Sequence, residues 1–307
     1  MREFEGRVAV ITGGASGIGL GMARRFAAAG MKIVLADIEQ AALDAARAEL
    51  RAMNTEVIAV RTDVRSEESM RALEASAVGA FGKVHILCNN AGVVPSGRTR
   101  ATWEFPFSDW KWTFDVNVSG VIHGLNAFLP GMLAHGEEGH IVNTGSIVSF
   151  VSGGQNVVYS ASKFAVGRIT EALYANLRDR GALIGVSLLC PGVVNTRIRE
   201  AERNRPAELS NPGGPAQEDA AYQAAIAKIN ESAMTPAEVA EMVFAGVRDR
   251  TFYVLTTAAW DSAIASRSED ILQRRDPQFP DMVGLITAEG EELAVRRAAE
   301  VEFDDGM

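Results

Sequence analysis

The sequence predicts an α/β fold, a three-layer, doubly wound sandwich in which helices cover both faces of a seven-stranded, mostly parallel sheet. Short, almost wholly apolar runs alternate with longer stretches of helix-forming residues, as is typical of parallel strands joined by right-handed helical crossovers. The 307 residues are 47% hydrophobic and 22% charged. This composition supports a large buried core and excludes disorder across the whole chain.

Seven apolar runs are predicted to form the strands. In chain order they cover Arg7–Thr12, Lys32–Asp37, Val57–Asp63, His85–Asn90, His140–Gly145, Ile184–Gly192 and Phe252–Thr257. The segments between them favour helices, two of which span Trp110–His135 and Tyr159–Arg180. Gly30, Gly82 and Gly181 stand where helices are expected to end, because glycine tolerates the left-handed conformation of a C-cap.

A polar segment from Thr196 to about Ala233 interrupts this alternation. Three prolines and a Gly-Gly pair prevent one continuous helix. We expect two short helices, over Arg197–Arg205 and Ala220–Ile229, joined by a turn at Asn211–Pro215. Long irregular segments in compact domains are often functional lids, so a lid over the substrate is predicted.

Residues 1–259 are predicted to form a single catalytic domain that includes the lid, residues 196–233. Residues 260–307 form a C-terminal extension, with a helical pattern over Asp261–Arg275 that could dock beside the lid of its own or a neighbouring subunit. The segment Asp281–Met307 holds eight acidic residues and two arginines. Such a charge run is usually solvated, so the acidic end is predicted to be a loosely attached, solvent-facing tail.

Charge and cysteine content narrow the possible partners. The net charge of −9 argues against nucleic acid or an anionic membrane surface. Cys88 and Cys190 lie far apart in apolar runs, which favours two buried free thiols in a reducing compartment. The four histidines lack ligand spacing, so no metal is predicted. No secretory or membrane-spanning pattern is found, and the protein is expected to be cytoplasmic.

A glycine-rich turn links the first strand to the first helix. The residues are TGGASGIG, Thr12 to Gly19. Glycines at such a turn let the backbone approach a pyrophosphate at the helix N-terminus, as in Rossmann-type nucleotide-binding folds. The position of this turn between a strand and a helix predicts a dinucleotide site.

Asp37 ends the second predicted strand, 18 residues after Gly19. A carboxylate there can accept both ribose hydroxyls of an NAD adenosine and would repel a 2′-phosphate. No Arg or Lys lies in the glycine turn or just after Asp37, which favours NAD over NADP. The alternative is that Asp37 caps the following helix.

Tyr159 and Lys163 are four residues apart on a predicted helix, so both can point into one cleft. A free tyrosine has a pKa near 10 and is a poor base at neutral pH. A nearby ammonium and a positively charged nicotinamide would lower this pKa. The pair therefore indicates acid/base chemistry.

Taken together, the motifs resemble the short-chain dehydrogenase/reductase family, in its shorter single-domain branch. They are, in order, TGGASGIG, the NNAG of Asn89 to Gly92, Asn117, Ser146, YSASK from Tyr159, and the stretch from Pro191-Gly192 to Thr196. The resemblance spans roughly Gly6 to Leu255. A weaker resemblance links TRIREAERNRPAEL and the long tail to bacterial dehydrogenases that oxidise the benzylic alcohol of aryl ethers.

The resemblance implies specific roles. Tyr159 would be the general acid/base, Lys163 would hold the nicotinamide ribose, Ser146 would bind the substrate oxygen, and Asn117 would bend a helix and seat a water that relays protons. The implied cofactor contacts, besides Tyr159 and Lys163, are Gly13, Ser16, Gly17, Ile18, Gly19, Asp37, Ile38, Asp63, Val64, Asn90, Ala91, Gly92, Pro191, Gly192, Val194 and Thr196. Simpler roles stay open: Asp63 and Asn90 as strand-end caps, Ser146 as a turn residue, and Asn117 as a structural amide.

The substrate is predicted to be a fairly bulky, neutral secondary alcohol or ketone. The pocket is assigned to Val94, Val148, Val151 and Val193, which are apolar and near the reacting groups. Four lid arginines, Arg197, Arg199, Arg203 and Arg205, could meet a distant anionic group, although a solvated helix face is the simpler interpretation.

An NAD-dependent alcohol dehydrogenase or ketone reductase is the predicted function. An NADP-dependent reductase of the same fold, and a nucleotide-sensing protein without turnover, are the alternatives. Relatives without catalysis typically lose the Tyr or the Lys, and this chain keeps both. The resemblance also implies a homo-oligomer, a tetramer first and a dimer second, in which the helices Trp110–His135 and Tyr159–Arg180 pair between subunits.

Overall fold

The computed structural model describes residues 1–97, 100–153, 156–216, 229 and 232–304, with side chains up to residue 299. The strands in these ranges form one seven-stranded sheet of order β3-β2-β1-β4-β5-β6-β7, and every neighbouring pair is parallel. Their bounds are β1 Val8–Thr12, β2 Lys32–Asp37, β3 Val57–Arg61, β4 Ile86–Asn89, β5 Gly139–Thr144, β6 Ile184–Cys190 and β7 Tyr253–Leu255. The predicted α/β class and the seven strands are confirmed.

The strand order reverses beside β1, which pairs with β2 on one side and β4 on the other. In open α/β sheets, ligands bind in the crevice outside the carboxyl ends of the strands at such a switch point. The fold therefore places the glycine turn after β1 at the expected binding crevice.

Helices cover both faces of the sheet. They are α1 Gly17–Ala28, α2 Gln40–Ala52, α3 Glu67–Phe81, α4 Phe107–Phe114, α5 Gly120–Ala134, α6 Val157–Asp179, α7 Pro236–Asp249, α8 Asp261–Gln273 and α9 Met282–Asp304. Alternate residues of β1 point to opposite faces, so Ile11 packs with α1, α2 and α7, whereas Val10 packs with α3, α5 and α6. Two separate apolar cores result, one on each face.

Helix ends follow the glycine prediction, whereas one predicted helix is interrupted. Gly30, Gly82 and Gly181 all have positive φ, from 62° to 82°, at or just after the ends of α1, α3 and α6. The expected single helix over Trp110–His135 consists of α4, a π-helical segment at Asp115–Ser119, and α5. A change of helix type cannot be read from residue periodicity over five residues.

The C-terminal extension consists of the helices α8 and α9 joined by a non-helical segment at residues 274–281, and the prediction of a solvent-facing acidic tail is wrong for the first turns of α9. Glu289 and Leu293 are only 4% and 3% exposed. Residues three and four apart share one helix face, so Glu289, Glu292 and Leu293 turn inward together. The number of acidic residues in this segment does not show which face of the helix carries them.

The lid segment begins with a 3₁₀ helix over Arg197–Asn204, followed by a shorter one at Ala207–Leu209. Arg205 has extended backbone (φ −70°, ψ 126°), because a residue before proline avoids the helical region. A turn follows in which Gly214 N–H donates to the Asn211 carbonyl, at the predicted place. The predicted second helix, Ala220–Ile229, lies outside the described residues except for its last one.

Candidate active site

One cleft opens at the carboxyl ends of the strands, and the loops after β1 to β6 line it. Most predicted cofactor and catalytic residues lie there, namely Gly13, Ser16, Gly17, Ile18, Asp37, Ile38, Asp63, Val64, Asn90, Ala91, Gly92, Ser146, Tyr159, Lys163, Pro191, Gly192, Val194 and Thr196. Gly19 and Asn117 are buried just behind the lining. Residues far apart in sequence are thus brought to one edge of the sheet.

The glycine turn is too tight for side chains. Gly13 and Gly17 have φ of +62° and +51°, a conformation that L-residues rarely adopt. A Cβ on Gly19 would lie 2.0 Å from the carbonyl oxygen of Gly13. The turn therefore presents bare backbone at the N-terminus of α1, and this cradle fits the pyrophosphate of a dinucleotide.

Asp37 is held in place by the backbone. Its two carboxylate oxygens accept from the N–H groups of Ala15 and Glu39, each at 3.2 Å. The N-cap position of α2 is Glu39, so the alternative role of Asp37 as helix cap is wrong. Burial raises the pKa of Asp37. Asp37 thus joins the glycine turn to the end of β2 with its carboxylate at the cleft.

Asp63 and Asn90 already have partners within the chain. Asp63 forms an ion pair with Arg65 at 2.8 Å. The Asn90 amide donates to the carbonyl of Thr12 at 3.0 Å and accepts from the hydroxyl of Thr144 at 3.2 Å. Asn90 therefore ties together the ends of β1, β4 and β5, a structural role that coexists with its place in the cleft.

Tyr159 and Lys163 lie on the first turns of α6, with Ser146 opposite them after β5. The hydroxyl of Ser146 hydrogen-bonds to Tyr159 and accepts from Val148 N–H at 3.3 Å. Lys163 is 2% exposed, and its Nζ donates to the carbonyl of Thr144 at 2.8 Å. The Lys163 ammonium lies 5.6 Å from the centre of the Tyr159 ring. The three side chains therefore lie together, with Tyr159 and Lys163 on one face of α6 and Ser146 beside Tyr159.

Burial dominates the electrostatics of this triad. It raises the pKa of Tyr159 to about 12, although the Ser146 hydrogen bond and the charge of Arg199 act in the opposite direction. Burial also lowers the pKa of Lys163 to about 8. The expectation that the Lys163 ammonium lowers the Tyr159 pKa is thus not met in this arrangement, where the cation that acts on this pKa is Arg199 and desolvation outweighs its charge. Tyr159 keeps its proton at neutral pH.

Asn117 lies in the π-helical segment and does not line the cleft. Its side-chain oxygen accepts from Val93 N–H at 2.8 Å, and its amide donates to the Val93 carbonyl and the Ser162 hydroxyl, both at 3.0 Å. Asn117 therefore fixes the strand-end loop after β4 against α6, as a structural amide does.

The predicted substrate valines are placed differently from the prediction. Val148 and Val151 belong to an apolar cluster around Trp260 and the C-terminal helices, and none of Val94, Val148, Val151 and Val193 lines the cleft. The apolar wall of the cleft is formed instead by Val93, Trp112, Val116 and Ala201. Trp112 of α4 packs there with Ala201 and Arg205 of the lid.

Three lid arginines form intramolecular ion pairs, and those of Arg203 and Arg205 correct the interpretation of all four arginines as a solvated face. Arg203 binds Glu39 at 2.7 Å, across the cleft opening. Arg205 is 5% exposed at its side chain and pairs with the fully buried Asp109 at 2.6 Å. Arg197, by contrast, pairs with Glu200 at the surface. The lid is thus fastened at the C-terminal end of the Arg197–Asn204 helix.

Metal and membrane features are not seen in the described ranges. No group of three or more His, Cys, Asp or Glu side chains there could hold a metal ion. None of the helices in those ranges combines the length and the apolar character that crossing a bilayer requires. Both cysteines are buried and free, as predicted.

Comparison with known proteins agrees with this geometry. Residues 7–207 match the family model described as short chain dehydrogenase, and the chain belongs to this family of oxidoreductases. It is 32% identical over 289 residues to a CLA biosynthesis dehydrogenase/reductase of Lactiplantibacillus plantarum, covering 93% of this chain and 100% of that protein.

Two further matches bear on the site. The chain is 34% identical over 285 residues to a C alpha-dehydrogenase of Sphingobium sp. strain SYK-6, covering 92% and 91% of the two chains. A short chain dehydrogenase/reductase from Burkholderia phymatum, solved in complex with NAD, is 44% identical with a TM-score of 0.86, covering 91% of this chain and 99% of that one. The resemblance to C alpha-dehydrogenases is confirmed, and a nicotinamide cofactor is the one the family implies.

Proposed function

We propose that this protein is an NAD-dependent dehydrogenase that transfers a hydride between the nicotinamide and a fairly bulky, neutral secondary alcohol or ketone. One observation carries the proposal: the hydroxyls of Ser146 and Tyr159 and the ammonium of Lys163 meet at one end of a cleft whose other end holds Asp37. When bound, the cofactor supplies the hydride chemistry.

The side chains supply the proton chemistry and orientation. Ser146 and Tyr159 present two hydroxyls to the substrate oxygen, so Ser146 orients it while Tyr159 takes or gives its proton. Removing the alcohol proton requires Tyr159 to lose its own. The raised pKa therefore means that charges brought near by ligand binding have to stabilise the phenolate. Two cations of the chain suit that role, namely Lys163, held by the Thr144 carbonyl 5.6 Å from the Tyr159 ring centre, and Arg199, whose charge already acts on Tyr159.

NAD is proposed over NADP because two carboxylates, Asp37 and Glu39, lie at the ribose end of the cleft. Arg65 and Arg203 lie at the same end and favour the NADP alternative, since guanidinium groups bind phosphate. Both are already paired with carboxylates, Asp63 and Glu39 respectively. A 2′-phosphate would have to compete with those ion pairs.

The substrate class rests on the apolar wall of Val93, Trp112, Val116 and Ala201 and on the relatives. A C alpha-dehydrogenase is among those relatives, and the lid sequence resembles dehydrogenases that oxidise benzylic alcohols of aryl ethers. A secondary alcohol next to an aryl group is therefore the first substrate to test. Arg203 and Arg205 are already paired with Glu39 and Asp109. They are therefore less suited to bind an anionic group of a substrate.

The proposal is tested with a panel of aliphatic, aryl and steroid secondary alcohols, each with NAD and with NADP, followed by the absorbance of the reduced cofactor. We expect turnover with NAD and a bulky neutral alcohol. Binding of NADH without turnover of any alcohol or ketone would instead support the nucleotide-sensing alternative.

Tyr159→Phe is the matched variant for the chemical step. It keeps the ring and removes the hydroxyl, so turnover should fall by about two to four decades, the usual span of acid/base catalysis. NADH binding should change little. Tyr174→Phe, on the exposed part of the same helix, is the control, and near-normal turnover by Tyr159→Phe would contradict the assigned role.

A further inference from the structure

The loop after β6, Pro191–Val194, forms one wall of the cleft and is fastened from several parts of the chain. The Pro191 carbonyl accepts from Ile147 N–H at 2.9 Å, directly beside Ser146. Gly192 N–H donates to the hydroxyl of Thr256 at 3.0 Å. The position of this loop is thus coupled to the position of a catalytic hydroxyl.

A further hydrogen bond to this loop comes from the C-terminal helix α9. Val193 N–H donates to Oε1 of Glu289 at 2.7 Å, and the indole N–H of Trp260 donates to Oε2 at 2.8 Å. Glu289 is 4% exposed. A Cβ on Gly192 would lie 2.2 Å from Oε1, so the carboxylate fills the space that any side chain at position 192 would need.

The helix that carries Glu289 is anchored independently of this loop. Glu292 accepts from the hydroxyl of Thr257 at 2.6 Å and from Ala259 N–H at 3.1 Å. One turn further on, Arg297 pairs with Glu238 of α7 at 2.8 Å. These contacts hold α9 against the segment after β7 and the start of α7. The position of Glu289 therefore depends on the helix, and the loop binds to a carboxylate that is already in place.

We propose that Glu289 is a positioning residue that fixes the Val193 peptide, and with it the Pro191–Val194 wall beside Ser146 where the reacting ends of substrate and cofactor would lie. This inference rests on the proposed dehydrogenase function. It makes the C-terminal helix a part of the active-site framework. The two groups that contact the Glu289 carboxylate, Val193 N–H and the indole N–H of Trp260, are both donors. Removing one of the accepting oxygens therefore leaves one of these N–H groups buried without a partner.

Glu289→Gln tests the proposal with little change in shape. The amide offers one accepting oxygen and one donating NH₂, so it cannot accept from Val193 and Trp260 through two separate oxygens. We expect kcat to fall on the order of 10- to 100-fold, because small displacements of a positioned site cost this much. The dissociation constant of NADH should change little. Glu291→Gln, an exposed neighbour on the same helix, is the control and should match the wild type.

Hydrogen exchange of the free protein gives a readout without turnover. In Glu289→Gln the peptide covering Pro191–Val194 should exchange at least several-fold faster, while β1 and β4 keep wild-type protection. If Glu289→Gln does not fold, Glu289→Asp, which keeps the charge and shortens the reach, takes its place with the same expectations.

The outcomes are distinguishable. Wild-type kcat and wild-type loop exchange in the Glu289 variant would overturn the positioning role, and so would faster exchange spread evenly over the sheet. If the wild-type protein itself turns over no substrate, the proposed dehydrogenase function fails. Loop exchange then decides separately whether Glu289 fixes the wall.

Discussion

At the residue scale, Asp37 illustrates how one carboxylate can be structural and functional together. Its oxygens accept from the N–H groups of Ala15 and Glu39, and this fixes the carboxylate at the end of the cleft that we propose holds the adenosine ribose. A fixed charge discriminates between ligands better than a mobile one, because no ordering cost accompanies binding.

Asp37→Ala should therefore weaken NAD binding and relieve the repulsion of a 2′-phosphate. The relative affinity for NAD over NADP should fall by about 1–3 kcal/mol, the range for a charge-assisted hydrogen bond. Titration of both cofactors into variant and wild type measures it, with the exposed Asp44→Asn on α2 as control. A wild-type preference for NADP would contradict the role given to Asp37.

At Lys163, in contrast to Asp37, the proposed function opposes stability. Its ammonium is buried, and the difference between its ordinary pKa of 10.5 and about 8 corresponds to about 3 kcal/mol against the charged form. Below a pH of about 8 the folded protein carries this cost. Between the two pKa values the unfolded chain binds a proton that the folded protein does not, so wild-type stability rises with pH.

Lys163→Met should thus abolish turnover and yet unfold at higher denaturant concentration than the wild type near neutral pH. The gain is smaller than 3 kcal/mol because the hydrogen bond to Thr144 is also lost. The stability advantage of Lys163→Met over the wild type should shrink as the pH is raised from about 8 towards about 10. Urea unfolding at two pH values checks this, with exposed Lys111→Met as control. An advantage that is constant with pH would argue against a buried ammonium.

At the element scale, the lid depends on a buried charge that its own sequence does not contain. Asp109 of α4 is fully buried and binds Arg205 at 2.6 Å, Asn211 at 2.7 Å and Arg100 at 3.3 Å. Arg205 also stacks over the Trp112 ring, 4.9 Å from its centre. The C-terminal end of the first lid helix is therefore held against α4.

Asp109→Asn should loosen this attachment. Removing one partner of a buried ion pair costs about 3–5 kcal/mol when the other charge is left uncompensated. Arg205 keeps its second ion pair, with Glu202 at 3.3 Å, so the cost of Asp109→Asn should fall below that range. Trypsin should then cut within Arg197–Arg205 sooner than in the wild type, as followed by mass spectrometry of the fragments. Asp115→Asn, whose ion pair with Lys111 is exposed, should leave the cleavage rate unchanged. Equal cleavage in both variants would mean that the lid is fastened elsewhere.

At the scale of the whole molecule, α5 and α6 leave apolar side chains uncovered on one protomer. Ile122 and Leu133 of α5 are each 40% exposed, and Tyr174 of α6 is 41% exposed. These helices are the ones predicted to pair between subunits. We therefore retain the prediction of a homo-oligomer, a tetramer first and a dimer second, because closed symmetry would bury such faces.

Light scattering at micromolar protein concentration should give a mass near that of four protomers. Ile122→Glu should lower that mass, because it places a charge in the paired face, whereas Glu291→Gln on α9 should leave it unchanged. A stable wild-type monomer would refute the prediction.

The sequence by itself determined the sheet and the chemistry-bearing residues. Buried parallel strands need continuous apolar runs, and the close turn after β1 needs glycines, so both leave local signals. The i, i+4 spacing of Tyr159 and Lys163 places them on one helix face, and the ends of parallel strands necessarily share one edge.

Only the tertiary structure decided which of these residues face the cleft and what surrounds them. Val151 packs with Trp260 although it closely follows Ser146 in sequence. Trp112 of α4 lines the cleft together with Ala201 of the lid, which is distant in sequence. Glu289 turns inward although its segment is strongly acidic. Contacts between residues distant in sequence have no local pattern, and burial, which raises the Tyr159 pKa and lowers that of Lys163, exists only once those contacts form.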